Sequence, residues 1–286
     1  KKTVYYTLSK YNNIITIDSN NEYNTLEFVV KKNNSKNKNY DVTIDPGHGG
    51  MDGGGASGNY KETDFTMDIS KKVKSNLEKT GITVKLTHDE GDIDKNHVMD
   101  EYNKGGRAVI PNEVKSKYTF SIHINKSGSS KVKGIELYTP SDINYDLAKD
   151  IVNNITSNTS LGYSSNRLYK KFDGIYTHNF TESEVKSAID GYDEKNYKHY
   201  NVTTKSNYLY MIRETGGFMT GAYVDSSNPD KVGVNPYYDS NIGNESYLLE
   251  LGYISNSTDV NTLKEEQDAL AKAISDSIIK EINEKM

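Results

Sequence analysis

Strand-like and helix-like segments alternate from residue 41 to the end of the chain. Residues 82–87 and 118–125 alternate apolar and polar side chains with the two-residue period of a strand. Elsewhere, apolar residues recur at every fourth position, as on one face of a helix. Strands that alternate with helices form sheets whose faces the helices cover. We therefore predict an α/β fold, with a twisted, mainly parallel sheet flanked by helices on both faces. The helical stripes are Phe65, Ile69, Val73 and Leu77; Ile143, Leu147, Ile151 and Ile155; and Leu270, Ile274, Ile278 and Ile282.

Two regions do not follow this alternation. Residues 1–40 hold three short β-prone runs, at 4–8, 14–17 and 26–30, and then KKNNSKNKNY, which cannot form a core. We predict a short N-terminal β element and linker over 1–40, and one main domain over 41–286. Residues 157–246 carry 11 of the 23 tyrosines and a blurred pattern. We predict that they form a long insertion over the edge of the sheet, before a last strand at 247–254.

Local signals mark the starts of two helices. Ser141 is a typical N-cap residue, and we expect it to begin the helix that carries Ile143. Thr181 and Glu184 have the spacing of a capping box and predict a helix that starts there. A further helix is expected within residues 98–109.

The composition excludes several classes of protein. The chain has no cysteine, so a metal site must use histidine and carboxylate, and disulfide scaffolds and cysteine nucleophiles are excluded. A net charge of −5 argues against a nucleic-acid-binding protein, which needs a basic face. No run approaches the ~20 apolar residues of a membrane span, so we expect no membrane-spanning segment. The first residues lack an initiator methionine and an apolar signal core, which predicts a processed or excised piece of a longer chain.

The most distinctive local feature is VTIDPGHGG, residues 42–50. A predicted strand runs into a loop in which Pro46 fixes φ and the glycines allow a tight turn around His48. Open α/β sheets bind ligands at the carboxyl ends of their strands, so His48 is a candidate functional residue. The absence of a following GK[ST] argues against a phosphate-binding loop. A glycine-rich turn with an incidental histidine stays open as the alternative.

Two further residues could join His48 at a metal site. Glu62 precedes the helix that carries Phe65, and His123 lies on the polar face of the strand 118–125. Taken alone, Glu62 would complement the helix dipole, and His123 would be an ordinary hydrogen-bonded histidine. Together, two imidazoles and one carboxylate are the ligand set of a catalytic zinc that keeps one position for water. The spacings of 14 and 61 residues are not diagnostic by themselves.

Glu250 interrupts the otherwise apolar strand YLLELGYI, residues 247–254. A buried carboxylate is costly unless it is paired or close to a metal ion. Partial burial would raise its pKa toward the range of a general base. The alternatives are a structural salt bridge, for which Arg213 is a candidate partner, and a strand end that is tipped into water.

Five sequence elements follow one another along the chain: DPGHGG with His48, Glu62 at the next helix start, SIHIN with His123, GIELYT at 134–139, and LLELGYISN with Glu250. In this order they resemble the zinc-dependent N-acetylmuramoyl-L-alanine amidases of the amidase-3 family. The likeness covers about residues 41–155 and 207–282, and it is specific because the elements follow the order of the family. Two departures are SIHIN, where the family usually has SIHAN, and the long Tyr-rich segment before Glu250. The second leaves the substrate-binding residues unknown.

The resemblance implies a function and a role for each residue. His48, Glu62 and His123 would bind Zn²⁺, and Glu250 would be the catalytic carboxylate. Residues 41–286 would be the catalytic amidase domain of a peptidoglycan hydrolase, an autolysin that cuts the amide bond between N-acetylmuramic acid and L-alanine of the stem peptide. Such an enzyme would be bacterial, secreted or cell-wall associated, with peptidoglycan as its partner.

Other roles and functions stay open. Asp45 and Asn125 could orient the two histidines or satisfy loop backbone, Glu136 could face the site or pair on the sheet, and His88 is expected to be exposed. The same metal chemistry would serve a zinc peptidase that cuts within the stem peptide. A wall-binding module that has lost its activity is a third reading, which Glu250 disfavours because a binder needs no base.

Overall fold

The structure, a computed structural model, describes residues 39–50, 52–89, 105–141, 143–190, 203–215 and 244–285, and the backbone of two strands at 13–20 and 25–32. The strands are β1 (Asn13–Asn20), β2 (Thr25–Lys32), β3 (Val42–Pro46), β4 (Ala56–Ser57), β5 (Tyr60–Lys61), β6 (Val84–Leu86), β7 (Tyr118–Asn125), β8 (Glu136–Tyr138), β9 (Lys170–Phe172), β10 (Ile175–Tyr176) and β11 (Glu245–Tyr253). The helices are α1 (Thr63–Glu78), α2 (Ile110–Glu113), α3 (Asp146–Asn158), α4 (Glu182–Asp190), α5 (Tyr210–Thr215), α6 (Ser257–Glu265) and α7 (Gln267–Glu284).

A seven-stranded sheet in the order β6-β3-β7-β11-β8-β10-β9 organises the chain after residue 41. The four strands from β6 to β11 run parallel, β8 is antiparallel to β11, β10 is parallel to β8, and β9 is antiparallel to β10. The predicted mainly parallel sheet is confirmed. Among the described strands, β1 pairs with β2 alone in a separate antiparallel ribbon. The two contain the predicted runs 14–17 and 26–30, whereas 4–8 lies outside the described residues.

Helices cover both faces of the sheet, as predicted. The apolar stripes of α1, α3 and α7 are buried in one core with the apolar side of β3, β7 and β11. On β11, Ser246 points away from this core because its neighbour Tyr247 lies in it. There the hydroxyl of Thr215, from α5, contacts that of Ser246. None of the helices in the described part of the chain has the length and apolarity that crossing a bilayer requires.

The alternation along β7 decides where polar side chains collect. Phe120, Ile122 and Ile124 lie in the core, so Ser121 and His123 lie on the opposite face. The same alternation on β3 and β11 brings further polar residues to that face. The sheet therefore has one apolar face for packing and one polar face near which a site can form.

The described part of the Tyr-rich segment extends the sheet sideways. Strands β9 and β10 continue it beyond β8, at the edge where the insertion was predicted. Helix α4 begins with the predicted capping box: Thr181 N donates to Glu184 Oε2 at 2.8 Å, and Glu184 N donates to Thr181 Oγ1 at 3.3 Å. The domain division at residue 40 stays a prediction.

Two predicted helix starts are wrong or incomplete. Helix α3 begins at Asp146 rather than after Ser141, because Asn144 Oδ1 accepts from the Asp146 amide at 3.0 Å and directs the start of the helix there. Of the helix expected within 98–109, residues 98–104 lie outside the described residues. Residues 105–109 form turns, and the short helix α2 begins at Ile110.

Candidate metal centre and active site

Three separate parts of the chain bring His48, Glu62 and His123 together. His48 follows the carboxyl end of β3, Glu62 is the N-cap residue of α1, and His123 lies near the end of β7. Strands β3 and β7 pair in parallel, with Pro46 opposite Ile122, so the two histidines reach the same edge of the sheet. One ligand atom from each of the three residues lies within 4.8 Å of the other two.

The carboxylate of Glu62 lies between the two imidazoles. Its Oε2 is 3.1 Å from His48 Nε2, and its Oε1 is 2.9 Å from His123 Nδ1. The backbone amides of Gly55 and Ile124 donate to the same carboxylate at 2.9 and 2.8 Å. Burial opposes ionisation, but the hydrogen bonds from the histidines outweigh it and hold the pKa of Glu62 well below its usual value. Glu62 makes no side-chain cap bond to α1, so its role differs from that of a helix-dipole partner.

His48 is held by a residue that the sequence analysis did not identify. Its Nδ1 lies 2.7 Å from Asp52 Oδ2, which leaves Nε2 directed at Glu62. Burial would lower the pKa of His48, but the carboxylates of Glu62 and Asp52 outweigh it and raise the pKa to about 9. A carboxylate on the second nitrogen is the usual way that proteins orient a metal-binding histidine. The signal available in the sequence was an acid four residues after a histidine in a glycine-rich loop.

This donor set fits a divalent metal ion. Two imidazole nitrogens and a carboxylate converge from different directions, and zinc accepts such ligands at about 2.0–2.2 Å. The carboxylates of Asp52 and Glu62 lie 2.7 and 3.1 Å from the two ring nitrogens of His48, so the site carries negative charge that favours a cation. Within the described residues, these three form the one group of ligand type that could hold a metal ion.

Glycines give the side chains of the site their room. A Cβ on Gly54, which has φ +67°, would lie 2.6 Å from His48 Cδ2 and 2.7 Å from Glu62 Oε2. A Cβ on Gly47 would lie 2.6 Å from His123 Nδ1. His48 itself has φ +60°, in the left-handed region that disfavours residues with a Cβ. The loop is therefore packed against the site, and it is more than a permissive turn.

Replacing Gly54 by alanine is expected to weaken zinc binding about 10- to 100-fold, since the new methyl group would displace two candidate ligands. Gly58→Ala is the matched control, because Gly58 has φ +58° and nothing within 4 Å of its Cβ position. Both variants carry the same left-handed strain of about 1–2 kcal/mol, but Gly58→Ala should bind zinc like the wild type. Equal zinc affinities of the two variants in a competition titration with a zinc chelator would contradict the assignment of His48 and Glu62 as metal ligands.

A buried ion pair holds the backbone of the loop that carries His48. Asp45 accepts from Arg107 Nε at 3.1 Å and from Ser121 Oγ at 2.6 Å. Arg107 also donates to the carbonyl of His48 at 2.7 Å. Asp45 therefore acts on the backbone of His48 through Arg107, and the predicted orienting role falls to Asp52. His88, expected to be exposed, is 5% exposed, and its Nδ1 lies 3.0 Å from the hydroxyl of Thr87, which donates to Asp45.

Glu250 lies beside the candidate metal-binding group. It pairs in register with His123 on β7 and with Glu136 on β8. Its Oε2 is enclosed and has no hydrogen-bond partner among the described residues. Burial, with the carboxylates of Glu62 and Glu136 nearby, raises the pKa of Glu250 well above its usual value. The alternative partner, Arg213, donates instead to the carbonyls of Asn207 and Tyr208 at 2.6 and 2.7 Å.

Comparison with known proteins identifies relatives of this chain. Residues 42–280 match the family model Amidase_3, described as N-acetylmuramoyl-L-alanine amidase. The germination-specific N-acetylmuramoyl-L-alanine amidase of Bacillus subtilis (strain 168) is 30% identical over 147 residues, 47% of this chain and 59% of the relative. The probable cell wall amidase LytH of Staphylococcus saprophyticus is 32% identical over 117 residues, 40% of this chain and 36% of the relative. The chain thus spans little more than half of the first relative and about a third of the second.

A solved structure shares the fold over most of the chain. The N-acetylmuramoyl-L-alanine amidase AmiC2 of Nostoc punctiforme superposes with a TM-score of 0.53 and 26% sequence identity. The superposition covers 85% of this chain and 96% of that one.

Proposed function

The chain belongs to the Amidase_3 family of N-acetylmuramoyl-L-alanine amidases, and from that premise we propose that it hydrolyses the amide bond between N-acetylmuramic acid and L-alanine in peptidoglycan. The observation that carries the proposal is the partly buried carboxyl of Glu250, whose enclosed Oε2 has no hydrogen-bond partner among the described residues, beside three convergent metal-type ligands. An enclosed carboxyl oxygen without a partner lowers stability, and a protein that only binds the wall has no use for it. We assign the activity to residues 41–286.

His48, Glu62 and His123 would hold Zn²⁺, through one imidazole nitrogen each and the Glu62 carboxylate. When bound, zinc supplies Lewis acidity, which makes a proton of water easier to remove and favours negative charge on a carbonyl oxygen. Asp52 orients His48, and Arg107 holds the His48 carbonyl in place. These contacts keep the ligands in position without help from the substrate.

Glu250 would be the general base and then the general acid. Its raised pKa makes Glu250 a stronger proton acceptor than an ordinary carboxylate. The carboxylate removes a proton from the attacking water, and the hydroxide adds to the lactyl carbonyl carbon. The C–N bond then breaks, and Glu250 delivers its proton to the departing amine of L-alanine. The products are a free carboxylate on the muramic acid side and a stem peptide with a free amino terminus.

The names of the relatives support the place of action. Two of them are a germination-specific amidase and a cell wall amidase, both of bacteria. We propose that this chain also acts on the bacterial cell wall, outside the cytoplasm, with glycan strands and their stem peptides as its partner.

The proposal is tested by digesting purified peptidoglycan with the chain, with and without a metal chelator. We expect mass spectrometry to find intact stem peptides with new free L-alanine amino termini, no release in chelator, and recovery when zinc is added back. Free amino termini on other residues would identify a peptidase that cuts within the stem. An inert protein that still sediments with peptidoglycan after zinc addition would identify a wall-binding module.

A further inference from the structure

Beyond its effect on the pKa of Glu250, the carboxylate of Glu136 has no part in the mechanism above. Glu136 opens β8 and is fully buried. In the sheet it stands opposite Glu250, which in turn stands opposite His123. The row across three strands thus consists of a candidate ligand, the candidate base and a third ionisable residue. Like charges directly opposite one another weaken a sheet, so the presence of Glu136 needs a compensating role.

Four uncharged side chains donate hydrogen bonds to Glu136. Oε1 accepts from the hydroxyls of Ser164, at 2.6 Å, and Tyr253. Oε2 accepts from the hydroxyl of Tyr138 at 2.8 Å and from Asn125 Nδ2 at 3.3 Å. In the described part of the chain none of the partners of Glu136 is a cation, unlike the pairing of Asp45. A buried, fully satisfied hydrogen-bond network of this kind fixes the positions of its members.

Two of the donors come from strands that carry the site. Asn125 lies two residues after His123 on β7, and Tyr253 lies three residues after Glu250 on β11. Ser164 belongs to the Tyr-rich segment, whose edge contact with the sheet includes its amide bond to the Ile135 carbonyl at 3.2 Å. Glu136 therefore joins the ends of both strands to the insertion.

A β-bulge lies between Glu250 and Tyr253. Glu250 pairs with His123 and Tyr253 pairs with Asn125, so β11 advances three residues while β7 advances two. Gly252 has φ +86°, and a Cβ there would lie 2.9 Å from Asp259 Cβ. Strict alternation would place Tyr253 on the face opposite to Glu250. The extra residue turns it back, as bulges do near active sites, and its hydroxyl reaches Glu136.

The geometry points to Glu136 as a positioning residue for Glu250. By accepting the Tyr253 hydroxyl on the far side of the bulge, it holds the bulge in one conformation and so fixes the strand that presents the Glu250 carboxyl. Through Asn125 it fixes the end of β7 in the same way. This inference rests on the proposed function, since it assigns Glu136 to the orientation of the proposed base.

The test compares Tyr253→Phe, Glu136→Gln and their combination on a soluble muropeptide. We expect each single change to lower kcat on the order of 10- to 100-fold, the effect of a misplaced catalytic group, with KM and bound zinc per chain unchanged. The double variant should be no slower than Glu136→Gln alone, because both changes break the same link. Tyr247→Phe is the matched control: it removes a hydroxyl bonded to Glu245 at 2.9 Å on the same strand and should keep the wild-type kcat.

A second readout does not depend on activity. The amide of Tyr253 donates to Asp259 Oδ2 at 2.8 Å across the bulge, and its hydrogen exchange should accelerate in Tyr253→Phe and Glu136→Gln but not in Tyr247→Phe. Wild-type kcat in both single variants, or a double variant whose loss is the product of the single losses, would overturn the inference. If Glu136→Gln fails to fold, Tyr253→Phe and Ser164→Ala provide the same comparison. A wild-type protein that releases no stem peptide would instead refute the proposed function, while the exchange result would still decide whether Glu136 holds the bulge.

Discussion

Glu250→Gln is expected to lower kcat for stem-peptide release by about 10²- to 10⁴-fold, the usual contribution of a general base. Glutamine has the same shape but cannot take a proton from water. Because Glu250 is not among the three convergent ligands, zinc content should stay at the wild-type level. The measurements are stem-peptide release from purified peptidoglycan and metal analysis of the same preparation.

The same variant should not lose stability. A carboxyl whose pKa is raised by folding ionises more easily in the unfolded chain, so at neutral pH it destabilises the native state. Removing the charge is therefore expected to leave the melting temperature at or above that of the wild type. Glu245→Gln, at the other end of β11, is the control and should keep full activity. Undiminished activity in Glu250→Gln would exclude Glu250 as the base.

Arg107→Met is expected to destabilise the protein by roughly 3–5 kcal/mol, because it leaves a buried carboxylate without its cation. Arg107 and Asp45 are 3% and 0% exposed, and Arg107 also donates to the carbonyls of Pro46 and His48. Zinc affinity should fall with stability, since the backbone of His48 loses its support. Denaturant unfolding of chelator-treated protein measures the first effect, and metal competition measures the second.

The pH dependence of this variant separates lost charge from lost packing. In the wild type, burial opposes ionisation of Asp45 but Arg107 outweighs it and holds its pKa below the ordinary value of 3.8. Without Arg107 the folded pKa should rise above the unfolded one, so the defect should shrink as the pH falls from 7 toward that value. Lys280→Met, which removes an exposed pair with Asp150, should leave stability near that of the wild type. If Arg107→Met lost the same free energy of unfolding at pH 7 and at the lower pH, lost packing alone would explain its instability.

Long elements with regular apolar spacing could be predicted from the sequence. The stripe from Phe65 to Leu77 lies in α1, and the stripe from Leu270 to Ile282 lies in α7. Strand β7 has the predicted bounds. These segments are decided by many residues that repeat the same preference, so no single local contact can change the outcome.

Elements decided by one or two contacts could not be predicted. The start of α3 depends on the contacts of one residue: Asn144 accepts from the Asp146 amide and donates to its carboxylate, and it competes with the equally suitable Ser141. Strands β9 and β10 have three and two residues, too few for a period to be visible. His88 lies in a polar sequence, and it is buried beside Thr87 and Asp45 of the folded chain.

The site shows the same division. The residue types at His48, Glu62 and His123 suggested a metal centre, but only the resemblance to a family joined residues as far apart as 48 and 123. Asp52 lies four residues after its partner His48, a spacing that the sequence displays, whereas Arg107 and Glu136 act through atoms that no spacing rule connects. Their partners lie on other strands and loops, so their roles could be read only from the folded chain.

Strand β9 has a consequence for edge-to-edge association of this protein at high concentration. Among the described strands it has a neighbour on one side only, and all three of its residues are exposed. An open strand can recruit a strand from another molecule, and lysine side chains oppose this because recruitment would desolvate their charge. Lys170 and Lys171 are two of the three residues of this edge strand. The two lysines therefore oppose edge-to-edge association of the sheet. Replacing both by valine is expected to promote fibre formation through β9.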